Sequence, residues 1–278
     1  MAVITDSLAR LPIVSTFAVI AVFWVLVAAA LLWAGEKFIP AHVRDATANG
    51  VRNLLAVVAA FYGFLIGFVV VQEWSNVSNA QSQVSAEAAA FATGSFAAAT
   101  LPAPNSLKIM NGFLALGRSE VCDEVPSLEI ASKPNLQTSK TLFKLYQVVG
   151  TVKPLALQSL SSYGQVYSSL NDVTSARRQM INASSERVPF VLMGVILLAG
   201  LVLLTAVSLQ DVRHGRGHVM VVIAVALFVA LGQGLVVSLS RPYVGAAAVS
   251  TDALTEGIPQ QFQRCNNPEL LTSPRQLG

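Results

Sequence analysis

Residues Leu54 to Val71 read LLAVVAAFYGFLIGFVVV, a run without a charge or a side-chain amide. As an α-helix rising 1.5 Å per residue, the run is about 27 Å long, close to the roughly 30 Å of a bilayer's hydrocarbon core. Lipid offers the backbone no hydrogen bonds, so a lone segment of this kind crosses only as a helix, which pairs its own amides. Three further uncharged runs obey the same rule: Leu11 to Gly35, Val188 to Gln210 and Val219 to Ser240. One such run also suits the core of a large soluble domain, but four in 278 residues do not. The sequence predicts an all-α integral membrane protein with four transmembrane helices in two hairpins and a helical extramembrane insert.

Composition agrees. Hydrophobic residues make up 54% of the chain and charged residues 12%, where a soluble domain is about a quarter charged. The lipid bilayer is therefore the first expected partner. A net charge of +3, spread along the sequence, leaves no basic patch of the kind nucleic acid requires, so nucleic acid is not an expected partner. The first run, with Ala28, Ala29 and Ala30 near its end and Arg10 before it, resembles a secretory signal only superficially. Signal h-regions hold about 7 to 15 apolar residues, and this run is longer.

The four runs divide the chain into a first hairpin (1–72), an insert (73–187), a second hairpin (188–240) and a polar tail (241–278). Trp24, Trp33 and Trp74 suit interfacial anchoring. Glu36 to Asn53 reads as a short polar connection, and Asp211 to His218 as a shorter one whose Gly215 and Gly217 permit a tight reversal. Past Val71 a heptad-like stripe runs through Trp74, Val77, Gln81, Val84, Ala88 and Phe91, so the second helix is expected to continue to about Thr100, before Pro102 and Pro104. Asn105 or Ser106 suits the cap of a helix carrying Leu107, Met110, Phe113, Leu114 and Val121. Pro126 and Pro134 bracket an expected loop, Ser139 to Val152 reads as another helix, and Leu160, Tyr163, Tyr167, Leu170, Arg177 and Ile181 as a last one. The insert is expected to be a helical bundle.

Four spans place both termini and the insert on one side. Lys37, Arg44, Arg52, Arg213 and Arg216 crowd the two short connections, whereas Arg10, Arg241, Arg264 and Arg275 are spread over the termini. Short basic loops favour the cytoplasm, which sends the insert outward, although Arg177, Arg178 and Arg187 beside the third run pull the other way. The two cysteines, Cys122 and Cys265, fall on the side of the insert. They form either a disulfide, which needs an oxidising compartment, or two unrelated thiols.

No nucleotide-binding loop, zinc motif or nucleophile elbow appears, so the chain does not read as an enzyme and no cofactor or metal is expected. His42, His214 and His218, with Asp45 and Asp211, gather in the two short connections. A metal or proton-sensing cluster and plain solvated loop residues both fit them, and the glycines disfavour a regular ligand pair. No run contains a charge, which disfavours a pump but not a passive pore, since channels are also lined by backbone and apolar constrictions. Phe61, Phe64 and Phe68 share one face of the second helix and are pore-lining candidates, with lipid contact or packing as the alternative. Gly63 and Gly67 permit close helix approach, and Gln233, between Gly232 and Gly234, is a candidate for hydrogen bonding across helices.

The run Phe61-Tyr62-Gly63-Phe64-Leu65-Ile66-Gly67-Phe68-Val69-Val70-Val71, followed by Trp74, Ala80, Val84 and Glu87-Ala88, resembles the opening of the bacterial bestrophin-like membrane protein family. Arg241-Pro242-Tyr243 with Gly245, Val249 and Ser250 is similar to its closing signature. The resemblance covers about residues 50 to 260 and implies residence in the plasma (bacterial inner) membrane. True bestrophins are pentameric anion channels with four spans per subunit whose second helix carries an apolar neck. By analogy the resemblance implies a homo-oligomer with Phe61, Phe64 and Phe68 at the neck. The acidic calcium clasp of animal bestrophins is missing, so calcium gating is not implied. The bestrophin arrangement also puts the insert in the cytoplasm, against the charge and cysteine reading. Two functions stay open: an oligomeric passive anion channel, or a non-conducting scaffold whose insert (73–187) binds a protein partner or the cell envelope.

Overall fold

The computed structural model describes residues 13–38, 41–152, 157–209, 216–244, 248–256 and 265. These residues contain helices and no strand: α1 (Ile13–Phe38), α2 (Ala41–Ala99), α3 (Asn105–Ser119), a π-helical turn (Glu120–Glu124), α4 (Val125–Ala131), α5 (Leu136–Thr151), α6 (Leu157–Ser185), α7 (Phe190–Ser208), α8 (Arg216–Leu239) and α9 (Asp252–Glu256). Four helical stretches are long and apolar enough to cross a membrane, within α1, α2, α6 to α7, and α8. The chain divides into two compact units, residues 1–76 with 187–248 and residues 77–186 with 249–278.

In the first unit α1 lies chiefly along α8, and α7 packs on both. Ile20, Trp24 and Ala28, four residues apart, form the buried stripe of α1, the spacing that aligns side chains on one helix face. They meet Tyr62 and Val69 of α2, Ile196, Leu203 and Leu204 of α7, and Val222, Ala226 and Val229 of α8. Small residues set the closest approaches, as they do between helices in lipid. A Cβ on Gly200 would stand 3.0 Å from Val229 Cγ1, one on Gly232 3.1 Å from Ile66 Cγ2, and one on Gly234 2.7 Å from Phe17 Cδ1. Polar groups in this core find each other: Trp24 Nε1 donates to Gln233 Oε1 at 2.8 Å, and the Tyr62 hydroxyl to the Val229 carbonyl at 3.2 Å.

The second unit is built on the C-terminal half of α2, whose buried residues Ala80, Val84, Glu87, Phe91, Gly94 and Ala98 recur every three to four positions. Ile109 and Phe113 of α3, Leu145 of α5, and Val166, Leu170 and Val173 of α6 are buried in the same unit. Phe91 and Phe113 meet edge to face at 6.4 Å. Gly94 leaves room for the Phe113 ring, whose tip a Cβ there would strike. The tail is fastened to α2 by Gln81, whose amide nitrogen donates to the Ser250 carbonyl at 3.1 Å while its oxygen accepts from the Ser250 N–H at 3.1 Å. Val249 and Leu254 are buried beside this clasp, and Cys265 is disulfide-bonded to Cys122 of the π turn.

Several local expectations are corrected. The segment Glu36 to Asn53 is not a loop: α1 reaches Phe38 and α2 starts at Ala41. Gly217 and His218 lie inside α8 and so take no part in a reversal. Pro126 starts α4 rather than a loop, because proline's missing N–H costs nothing in a helix's first turn. Neither Asn105 nor Ser106 caps α3, whose preceding residue is Pro104 and which has no side-chain cap. The cap that does form is Asn135 on α5, accepting from Gln137 N–H at 2.7 Å, so that helix begins at Leu136, ahead of Ser139. Trp74 drops out of the stripe, being 63% exposed.

Candidate pore-lining helix

Successive residues of an α-helix are about 100° apart, which divides the membrane part of α2 into three faces. Tyr62, Val69 and Glu73 are buried and form the face turned to the first unit's own core. Phe61, Phe64 and Phe68 lie roughly opposite and are 55%, 71% and 60% exposed. Gly63 and Gly67 occupy the flank between these faces, and a Cβ on either would meet nothing within 4 Å. Three large aromatic side chains thus stand clear of the described residues around them, beside a flank that carries no side chain.

The closing signature is placed differently. Arg241, Pro242, Tyr243 and Val244 follow α8 directly and are all buried, with Arg241 and Tyr243 both engaged by other groups. Gly245 lies outside the described residues, as do His214, Asp211 and the side chains of His42 and Asp45. The histidine cluster is therefore represented by His218 alone, half-buried on α8. Among the described residues no group of three or more His, Cys, Asp or Glu side chains is placed to hold a metal ion.

A model of the bestrophin-like domain matches residues 22–254. The chain belongs to the bestrophin-like family. Its fold is similar to that of a bacterial bestrophin homolog from Klebsiella pneumoniae phased on zinc, with a TM-score of 0.64 and 13% identity over 89% of this chain and 96% of that one. Two point variants of that homolog give TM-scores of 0.64 and 0.65 at 12% and 13% identity, covering 91% and 89% of this chain and 96% of each of theirs. Identity this low establishes the shared fold and nothing about conduction. No curated protein sequence matches the chain.

Reading the sequence singled out the membrane half of α2 and missed the charges buried in the second unit. Glu87, Glu120 and Glu124 are each 0% exposed and Arg177 7%. Arg177 Nη2 donates to Glu124 Oε1 at 2.9 Å and to Ser139 Oγ at 3.1 Å, while its Nε lies 3.1 Å from Glu120 Oε1. Glu124 Oε2 also accepts from the Asn135 N–H at 2.8 Å. One signal was available: Glu87 stands three residues after Val84 and four before Phe91, in register with the buried stripe.

Proposed function

We propose that this bestrophin-like chain forms an oligomeric passive anion channel in which α2 lines the pore. The observation that carries the reading is the face of Phe61, Phe64 and Phe68, exposed opposite the side on which α2 packs within its own subunit. A helix that surrounds an axis needs one face for its own bundle, one for the axis and flanks for its neighbours. Gly63 and Gly67 supply such a flank. An apolar aromatic ring gates by excluding water at its narrowest point rather than by binding the ion. The disulfide between Cys122 and Cys265 supports an insert on the oxidising, outer side of the membrane.

The reading is tested by the mass of the purified protein in nanodiscs together with chloride flux in liposomes. An oligomeric mass with flux is expected, and a monomeric mass without flux under any gating condition would sink it. The scaffold reading keeps one observation in its favour, the exposed apolar side chains of the second unit: Phe96, Ile130, Leu136 and Phe143 are 63% to 76% exposed. A scaffold would co-purify with a partner protein and lose it when residues 73–187 are removed.

A further inference from the structure

Among the described residues of the second unit three glutamates are buried with two arginines, of which Arg118 is engaged by another group. The unit's α2, π turn and α6 bring Glu87, Glu120, Glu124 and Arg177 into one buried cluster, three carboxyls against one guanidinium. Glu124 is fully engaged, by Arg177 and by the Asn135 N–H. Glu120 has only the Arg177 Nε, near enough for an ion pair but out of line for a hydrogen bond. Both carboxyl oxygens of Glu87 lack a hydrogen-bond partner among the described residues. An ionised carboxylate held this way has neither water nor a donor to stabilise its charge, and such a group takes up a proton instead.

We propose that Glu87 and Glu120 form a proton-binding site, occupied at neutral pH, that latches α2 to the π turn and α6 and releases them as the pH rises. The groups facing Glu87 are Glu120 and Glu124 from the π turn and Arg177 from α6. The side chains that α5 brings to the cluster are hydroxyls, with Ser139 accepting from Arg177 and Thr138 sharing a hydrogen bond with Ser119. Asp123, on the rim of the π turn, takes the Ser119 hydroxyl hydrogen at 2.8 Å. Burial pushes the Glu87 carboxyl from 4.5 up to about 8, against the pull of Arg177 and with a further push from Glu124. Burial and the neighbouring Glu87 hold Glu120 well above the usual carboxylate range. Because the two interact, the proton belongs to the pair. When it leaves for bulk water, the carboxylate left behind faces a second acid, and Arg177 is already engaged by Glu124.

The direction of the pH effect follows. A carboxyl whose folded pKa is raised contributes stability that is complete below its unfolded value, near 4.5, and is lost as pH rises through about 8. The full-length protein in nanodiscs is compared with Glu87→Gln, which mimics the protonated acid, by thermal unfolding and by amide exchange over residues 119–140 from about pH 5 to pH 9. The variant is expected to match the wild type at the acid end, to be the more stable at the alkaline end, and to lose the alkaline rise in exchange. Identical pH profiles for the two proteins would overturn the proposal. Should Glu87→Gln not fold, infrared titration of the wild type decides. A protonated-carboxyl band that persists through neutrality and is lost with a midpoint near pH 8 upholds the site, and its absence above about pH 6 overturns it. The experiment does not depend on whether the chain conducts.

Discussion

Gln233 shows how one polar group is accommodated in an apolar setting. Its carboxamide sits between glycines on α8, buried among aliphatic side chains, and accepts the Trp24 indole hydrogen at 2.8 Å. In hydrocarbon neither partner has water to fall back on, yet such bonds are worth only about 1 kcal/mol because the unfolded chain also finds partners. Gln233→Leu is expected to lower the unfolding free energy by about that amount. Combined with Trp24→Phe it should cost less than the two changes summed, as a double-mutant cycle in micelles can measure. Gly94 is the counterpart in the second unit. Its missing side chain admits the ring of Phe113, which is 1% exposed and is held edge-on by Phe91. Gly94→Ala should cost about 1 to 3 kcal/mol by overpacking, measured as a lower unfolding midpoint, and Gly94→Val should cost more. The pair at Trp24 and Gln233 was half legible: the glycines and the polar atom marked Gln233, whereas nothing in the sequence selected Trp24 from among the tryptophans. The room made by Gly94 was not legible, because it exists only once α3 is docked.

At the scale of elements, α2 organises the chain. Its 59 residues form one helix, about 88 Å long at 1.5 Å per residue. Hydropathy marked the membrane part, and the pair Pro102 and Pro104 marked the end. The reversals were harder to place. Polar residues between two apolar runs look like a loop, but a helix leaving lipid can keep its hydrogen bonds in water, and here α1 runs to Phe38 and α2 starts at Ala41. Pro126 misled for a related reason, since a proline that forbids a helix interior is welcome at a helix start. The acid cluster was hard to read because the charge of Glu87 argues for solvent while its register argues for burial, and the π turn that brings Glu120 and Glu124 inward has no sequence signature. Gly63 and Gly67 give the element-scale prediction. With open space around them, Gly63→Leu and Gly67→Leu should leave the fold of the subunit unchanged by circular dichroism. They should shift the mass in nanodiscs toward the monomer, because the flank would no longer admit a neighbouring backbone.

For the whole molecule, topology and covalent chemistry support each other. Four candidate spans, if all cross, place the insert and the tail on one side, and the bond between Cys122 and Cys265 joins them. The same π turn carries that bond and two of the three buried acids, so the tail is fastened next to the charge cluster as well as to α2 through Gln81. With an outward insert, a membrane-impermeant thiol reagent applied to intact cells should label the protein only after reduction. Labelling that waits for lysis would instead place the insert in the cytoplasm. Both cysteines are consumed by the disulfide, which leaves the chain free for a single reporter thiol, and Phe64, at 71% exposed, is the most accessible of the three aromatics. The most direct measurement is therefore chloride efflux from liposomes containing Phe64→Cys, before and after a bulky thiol reagent, with Leu198→Cys, exposed on α7, as the control. If α2 lines an anion pore, efflux through the Phe64→Cys protein is blocked by the reagent while the control conducts unchanged. No efflux from any of the proteins, or efflux through Phe64→Cys that full modification leaves untouched, would contradict the account.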